Sequence, residues 1–242
     1  MRSTPIGLAM LNDERPHVWQ KNNPENMAVL KAWAKLIRDN VKNVDGTRPE
    51  VVVGSEIITS ARVAQKVGDE LVRAGCKQII LCYNVWNFPF LVWPFINSVG
   101  QVPILSLSNN NGQYPGNVGL LATDGALRQA GVRTHRIVGN IDDKATQQQV
   151  FDWVRASQAV TTIRNEVYGC YGGHSMGMET GFFHLTPPLK SLGTTVYQID
   201  QYLLVLEAGK VPQKEVDKAL AWFDEMLGER ILWDNEMLTK ET

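Results

Sequence analysis

The stretch Gly173-His174-Ser175-Met176-Gly177 carries residue types that serve two different chemistries. It fits G-x-S-x-G, in which glycines flanking a serine permit the strained strand-to-helix turn that exposes a nucleophilic hydroxyl. A hydrolase built this way supplies its triad in the order serine, acid, histidine. His184 is the only histidine after Ser175, and it precedes Asp200, Asp217, Asp224 and Asp234. The remaining acid, Glu179, is too near both Ser175 and His184 in sequence to occupy a separate loop. No His-Gly-Gly segment upstream offers an oxyanion hole. The serine thus lacks partners, and the glycines serve equally well as a sharp turn after a strand.

Two further groups have binding chemistry. Arg15, in Asn12-Asp13-Glu14-Arg15, follows an apolar run and can donate to a sugar hydroxyl or carbonyl; as a solvated or ion-paired arginine it would do neither. Trp86, in Tyr83-Asn84-Val85-Trp86-Asn87-Phe88, sets an indole among amides, which suits the C–H faces and hydroxyls of a carbohydrate. The aromatic stripe from Phe88 to Phe95 is expected to be mainly core. The amides of Ser108-Asn109-Asn110-Asn111-Gly112 either bind a polyol or satisfy their own turns.

Cofactor signatures are largely missing. No G-x-G-x-x-G follows the first apolar run and no Walker sequence occurs. His17, His135, His174 and His184 do not pair at i, i+3 or i, i+4. Cys76, Cys82 and Cys170 lack C-x-x-C spacing, so they are read as reduced, mostly buried thiols. No metal is expected to be held wholly within this chain, and no residue here is assigned as catalytic.

The elements that would position these residues follow from periodicity. Short apolar runs alternate with amphipathic helical patterns, which predicts an α/β, doubly wound parallel sheet of Rossmann-like type. Strands are expected at residues 6–11, 51–53, 79–82 and 102–107, with a short one at 135–138. A helix is expected from Asn23 as cap and Pro24 as first position. Another runs from Ser60 to Gly75. Residues 108–117 read as a loop, 119–130 as a helix, and Asp142 or Asp143 caps a long helix. This domain spans 1–164. A second, incomplete α/β domain, 165–242, opens with a buried strand at 167–171, followed by a strand at 195–199 and a helix at 214–227. Residues 233–242 have helical propensity without a stop signal.

Composition bounds the class. The 242 residues are 44% hydrophobic with a formal net charge of -1, enough for a packed core and with no basic run that would attract nucleic acid or an anionic membrane. The N-terminal apolar run is too short for a signal peptide and no span reaches transmembrane length, so a cytoplasmic protein is expected.

Several motifs together resemble the L-fucose isomerase family, with a more distant echo of L-arabinose isomerases. Ile6-Gly7 with Asp13 and Arg15 is similar to the family's opening strand and arginine-bearing loop. Trp86 resembles its tryptophan after the third strand, and Gly172-Gly173 with Ser175-Met176-Gly177 is the nearest segment. Ala219-Leu220-Ala221-Trp222 with Asp224 resembles a helix near the end of the second domain.

The resemblance implies an aldose–ketose isomerase that uses a divalent metal, typically Mn2+, whose ligands lie beyond the second domain. It implies a homo-oligomer, hexameric in the family, in which Arg15, Trp86, Ser175 and Met176 contact a monosaccharide at a neighbouring subunit's pocket. Asp13-Glu14-Arg15-Pro16 replaces the family's glycine-rich first loop, and His174 stands where relatives often carry an aliphatic residue, so sugar identity does not transfer. The alternatives are a non-catalytic sugar-binding or assembly module and the serine hydrolase.

Overall fold

The structure is a computed structural model that describes residues 4–43, 45–111, 114, 116–164, 166–173, 184 and 186–230. It divides into two compact units, Met1–Arg164 and Asn165–Thr242.

The first unit is built on five parallel strands: β1 (Ile6–Leu11), β2 (Val51–Val53), β3 (Gln78–Tyr83), β4 (Ile104–Ser108) and β5 (His135–Val138), in the order β2-β1-β3-β4-β5. Five helices connect and follow them: α1 (Pro16–Asn40), α2 (Ala61–Arg73), α3 (Val92–Val99), α4 (Gly116–Gln129) and α5 (Lys144–Ile163). Alternation along the strands divides the core in two. Met10, Cys82 and Leu107 face Trp33 and Ile37 of α1 and Val150 and Val154 of α5. Leu11, Leu81 and Tyr83 face Val67 of α2, Phe95 of α3 and Leu120 of α4. Helices on both faces explain why β1, and β3 after Gln78, are continuous apolar runs, since each residue of both strands is buried.

Local chemistry sets the helix ends. The Ser60 hydroxyl accepts from the Val63 N–H at 3.3 Å, and Gly75, at φ 79°, takes the left-handed conformation just beyond α2. The Asp143 carboxylate accepts from the N–H groups of Ala145 and Thr146 at 3.0 and 3.3 Å. Helices α1 and α3 differ most from the sequence reading, and α4 opens at Gly116, inside the segment 108–117 that reads as a loop. Helix α1 starts at Pro16, not Pro24, because the N–H groups of Val18 and Trp19 already bond the Arg15 carbonyl, so Pro24 lies inside the helix. The aromatic segment forms a 3-10 turn, Pro89–Leu91, and then α3. Its prolines masked the periodicity, yet Pro89 opens the turn, and Leu91, Val92 and Phe95 enter the core; the stripe as a whole does not, since Phe90 is 50% exposed and Phe88 and Trp93 are only partly buried.

The second unit contains parallel strands β6 (Val167–Tyr171) and β7 (Thr195–Ile199) and helices α6 (Thr186–Leu192), α7 (Tyr202–Ala208) and α8 (Gln213–Leu227). The expected burial of β6 is not found: Val167 is 60% exposed and Tyr168 47%. A two-stranded pair has no central strand, and α6, α7 and α8 contain no buried residue that would cover it. Cys170 is accordingly only half-buried, whereas Cys76 and Cys82 are buried as expected.

Candidate functional site

Strand order reverses between β1 and β3, where the chain leaves β1 for α1 on one face and leaves β3 toward α3 on the other. A crevice at the carboxyl ends of the strands is the physical result, and sheets of this kind bind ligands there. The loops after β1 and β3 carry Arg15 and Trp86 to that edge.

The loop after β1 is tightly fixed. Asn12 and Asp13 are buried, and the Asp13 N–H donates to the Asn12 side-chain oxygen at 2.7 Å. Asp13 then holds Arg15 three ways: the backbone N–H at 2.9 Å, Nε at 2.9 and 3.1 Å, and Nη2 at 2.5 Å. The guanidinium bonds keep the Asp13 carboxyl below its ordinary range and raise Arg15 further. The guanidinium carbon lies 5.7 Å from the centroid of the Phe88 ring, a cation–π contact. Trp86 meets the same ring edge-on, with centroids 6.0 Å apart and planes at 78°. Arg15 and Trp86, separated by the whole α1-β2-α2-β3 passage of chain, are therefore joined through Phe88.

The segment bearing Trp86 and Phe88 is clamped from two sides. Asn84 Nδ2 donates to Asn26 Oδ1 of α1 at 2.8 Å. Asn109, just past β4, donates to the Asn84 carbonyl and side-chain oxygens at 2.8 and 2.6 Å. Asn87, fully buried, donates to Thr123 Oγ1 of α4 at 2.7 Å. Helix α4 approaches so closely that a Cβ at Gly116 would lie 2.5 Å from the Tyr83 carbonyl oxygen, and one at Gly119 would lie 3.0 Å from the Val85 carbonyl oxygen. Only glycine permits that approach. The sequence reading left Asn109 open and missed Asn26, Thr123 and the α4 glycines; the spacing Gly116-x-x-Gly119 in a helical segment was the available signal.

Ser175, Met176 and His174 lie outside the described residues. Strand β6 ends at Tyr171, and the next residue, Gly172, has a φ of 94° that demands glycine and an N–H that donates to the Ile199 carbonyl at 3.0 Å. Gly172, Gly173, Gln198, Asp200 and Gln201 line a small cleft of about 300 Å³ in the second unit. Among the described residues, no group of three or more His, Cys, Asp or Glu side chains is placed to hold a metal ion. Burial pushes the Cys76 thiol up to about 11 and Cys82 up to about 12, so neither is a thiolate nucleophile at neutral pH. No described helix is long and apolar enough to cross a membrane.

Residues 3–165 match the family described as L-fucose isomerase, first N-terminal domain. The chain is 26% identical over 219 residues to an L-fucose isomerase of Bacteroides thetaiotaomicron, covering 82% of this chain and 35% of that protein. An L-fucose isomerase of Haemophilus influenzae is 23% identical over 222 residues, covering 88% and 37%. One of Klebsiella pneumoniae is 23% identical over 244 residues, covering 90% and 38%. This chain thus spans little more than a third of the length of each of these relatives. With the α/β parallel fold and a family match over most of its length, the chain belongs to the L-fucose isomerase family.

Proposed function

We propose that this chain is the N-terminal portion of a metal-dependent aldose–ketose isomerase, and that it contributes oligomer contacts and part of a neighbouring subunit's sugar pocket. Arg15 and Trp86 contact the monosaccharide there, with Ser175 and Met176 shaping the same pocket from the second unit's turn. The oligomer is a homo-oligomer, a hexamer by family resemblance, working in the cytoplasm. The observation that carries this reading is the convergence of Arg15 and Trp86 on Phe88 at the carboxyl edge of the sheet.

The chemistry of these groups fits a supporting role. Asp13 takes the Nε–H and one Nη2–H of Arg15 and so fixes the plane of the guanidinium; the second Nη2–H and both Nη1–H bonds are left as charge-assisted donors for a sugar oxygen. Trp86, half-buried, offers an indole surface for the C–H face of a pyranose. Neither group moves a proton. A divalent metal, Mn2+ in this proposal, would supply Lewis acidity when bound. The described residues do not fit such an ion. We place its ligands, and the acids that carry the proton between adjacent carbons, on sequence outside these 242 residues. The short coverage of the relatives' length supports that placement.

The test is direct. The isolated chain with Mn2+ and an aldose gives no ketose, whereas a longer protein carrying it does. In that longer protein Trp86→Ala raises KM roughly tenfold by removing stacking area, with a smaller change in kcat. Turnover by the isolated chain, or an unchanged KM in Trp86→Ala, would overturn the proposal.

A further inference from the structure

Phe88 is the ring on which Arg15 and Trp86 meet, and its backbone is fixed from both chain directions. Asn87, just before it, is fully buried and donates to Thr123 Oγ1 of α4 at 2.7 Å. Pro89, just after it, opens the 3-10 turn and confines the preceding residue to extended backbone. Phe88 has φ -82° and ψ 124°, and its carbonyl accepts from the Leu91 N–H at 3.1 Å. The ring itself is only half-buried, and Phe90 packs on it with centroids 6.1 Å apart and planes at 37°.

The two residues that meet it are each held incompletely without it. Asp13 bonds one edge of the Arg15 guanidinium, but the arginine side chain is 53% exposed, and an ion pair open to water restrains its partners weakly. The Phe88 ring covers the guanidinium face, where its quadrupole attracts the charge and its carbons keep water from that side. Trp86 depends on Phe88 more. Its indole N–H makes no hydrogen bond among the described residues, and Phe88 is the ring it packs against, edge-on.

The chemistry asks for an aromatic side chain at this position. Leucine would fill much of the same space, yet it has neither a quadrupole for the guanidinium nor a ring to seat the indole. Tyrosine has both. Without the ring, Arg15 and Trp86 sample more orientations, and a sugar that touches them must order each on binding, which weakens affinity. With it, a contact that orders one also steadies the other, because both press on the same side chain.

We infer that Phe88 is a positioning residue that makes Arg15 and Trp86 act on a sugar as one unit. The inference rests on the reading of those two residues as sugar contacts, and it adds the side chain that couples them.

The experiment has two arms. In the 15N-labelled 242-residue chain, NMR order parameters of the Arg15 Nε–H and the Trp86 indole N–H both fall in Phe88→Leu and are both retained in Phe88→Tyr. In the longer protein carrying this chain, Phe88→Leu raises KM for the aldose about tenfold with a smaller change in kcat, and Phe88→Tyr keeps KM within about threefold. Arg15→Ala and Trp86→Ala together raise KM less than the product of their separate effects, and this shortfall disappears when Phe88→Leu is also present. A fall in the order parameter of only one residue or of neither, no rescue by Phe88→Tyr, or effects of Arg15→Ala and Trp86→Ala that simply multiply overturns the inference. Failure of the underlying reading is distinguishable. If Trp86→Ala leaves KM unchanged, the sugar-contact reading fails and the inference falls with it; if Trp86→Ala raises KM and Phe88→Leu does not, the reading stands and the inference alone is overturned.

Discussion

The two units use the same parallel strand-and-helix grammar and reach opposite degrees of closure. In the first, five strands are covered on both faces, and Phe95, Leu81 and Tyr83 are buried between the sheet and its helices. Among the described residues of the second, two strands and three helices leave Tyr197, Leu203, Val205 and Trp222 exposed. Alternating apolar runs and amphipathic helices are present in both. Burial requires more than the pattern: a central strand and a helix layer on each side are needed before an apolar face leaves water.

The largest expected effect sharpens this contrast. Phe95→Ala removes a fully buried ring from the packed face and should cost about 3–5 kcal/mol. Trp222→Ala removes a larger side chain that is 59% exposed, and should change stability by no more than about 0.5 kcal/mol. Urea denaturation of the 242-residue chain measures both. Comparable losses would show that the second unit buries Trp222 in solution and would break the comparison.

Next comes the close approach of α4. Gly119→Ala forces a methyl against the Val85 carbonyl at 3.0 Å and the Asn87 backbone nitrogen at 3.2 Å. The expected cost is about 1–3 kcal/mol. The displaced segment carries Trp86, so the near-ultraviolet circular dichroism of the aromatic cluster should change as well. A variant of unaltered stability and spectrum would mean that the loop after β3 yields freely.

A smaller effect belongs to Asp13. Its carboxyl is depressed by the bonds from Arg15, relative to an ordinary value of 3.8. A group whose folded value is lowered contributes its stabilisation fully above the unfolded value and loses it as pH falls through the folded one. The contribution is thus present at neutral pH and fades below about pH 4. Asp13→Asn should cost about 1–2 kcal/mol at pH 7, discounted because Arg15 is half exposed, and the gap to the unsubstituted chain should close in acid. A gap that does not narrow as the pH falls below about 4 would assign the loss to packing.

Much of the first unit was legible because its signals are local. The Ser60 and Asp143 caps, Gly75 and the apolar strands each encode their own geometry. Helix α3 was missed because prolines broke its periodicity, although they sit in its opening turns. The start of α1 was misplaced because two prolines satisfied one rule, and only the Arg15 carbonyl bonds decide between them. Arg15 and Trp86 could each be singled out by type and position. Their meeting on Phe88, and the clamp of Asn26, Asn109, Thr123 and the α4 glycines, could not, because these depend on contacts between segments far apart in sequence. The exposure of β6 was hidden for a related reason: Val167 to Tyr171 reads as apolar whatever covers it.

The smallest effect probes the open unit with the same substitution that is costly in the closed one. Gly209 follows α7 with φ -64° and ψ -12°, a conformation that alanine adopts freely. A Cβ there would meet only the Val205 and Leu206 carbonyl oxygens, at 3.7 and 3.8 Å, which is ordinary contact. Gly209→Ala should therefore stabilise α7 by about 0.4–1 kcal/mol, through the lower entropy of the unfolded chain. Slower hydrogen exchange of the amides of residues 205–209, with no change in those of α4, is the expected readout. Destabilisation would require an unseen neighbour against Gly209 and would show that the second unit is as closely packed as α4 against the loop after β3. The opposite signs expected for Gly119→Ala and Gly209→Ala come from surroundings alone, since one hydrogen is replaced by one methyl in both.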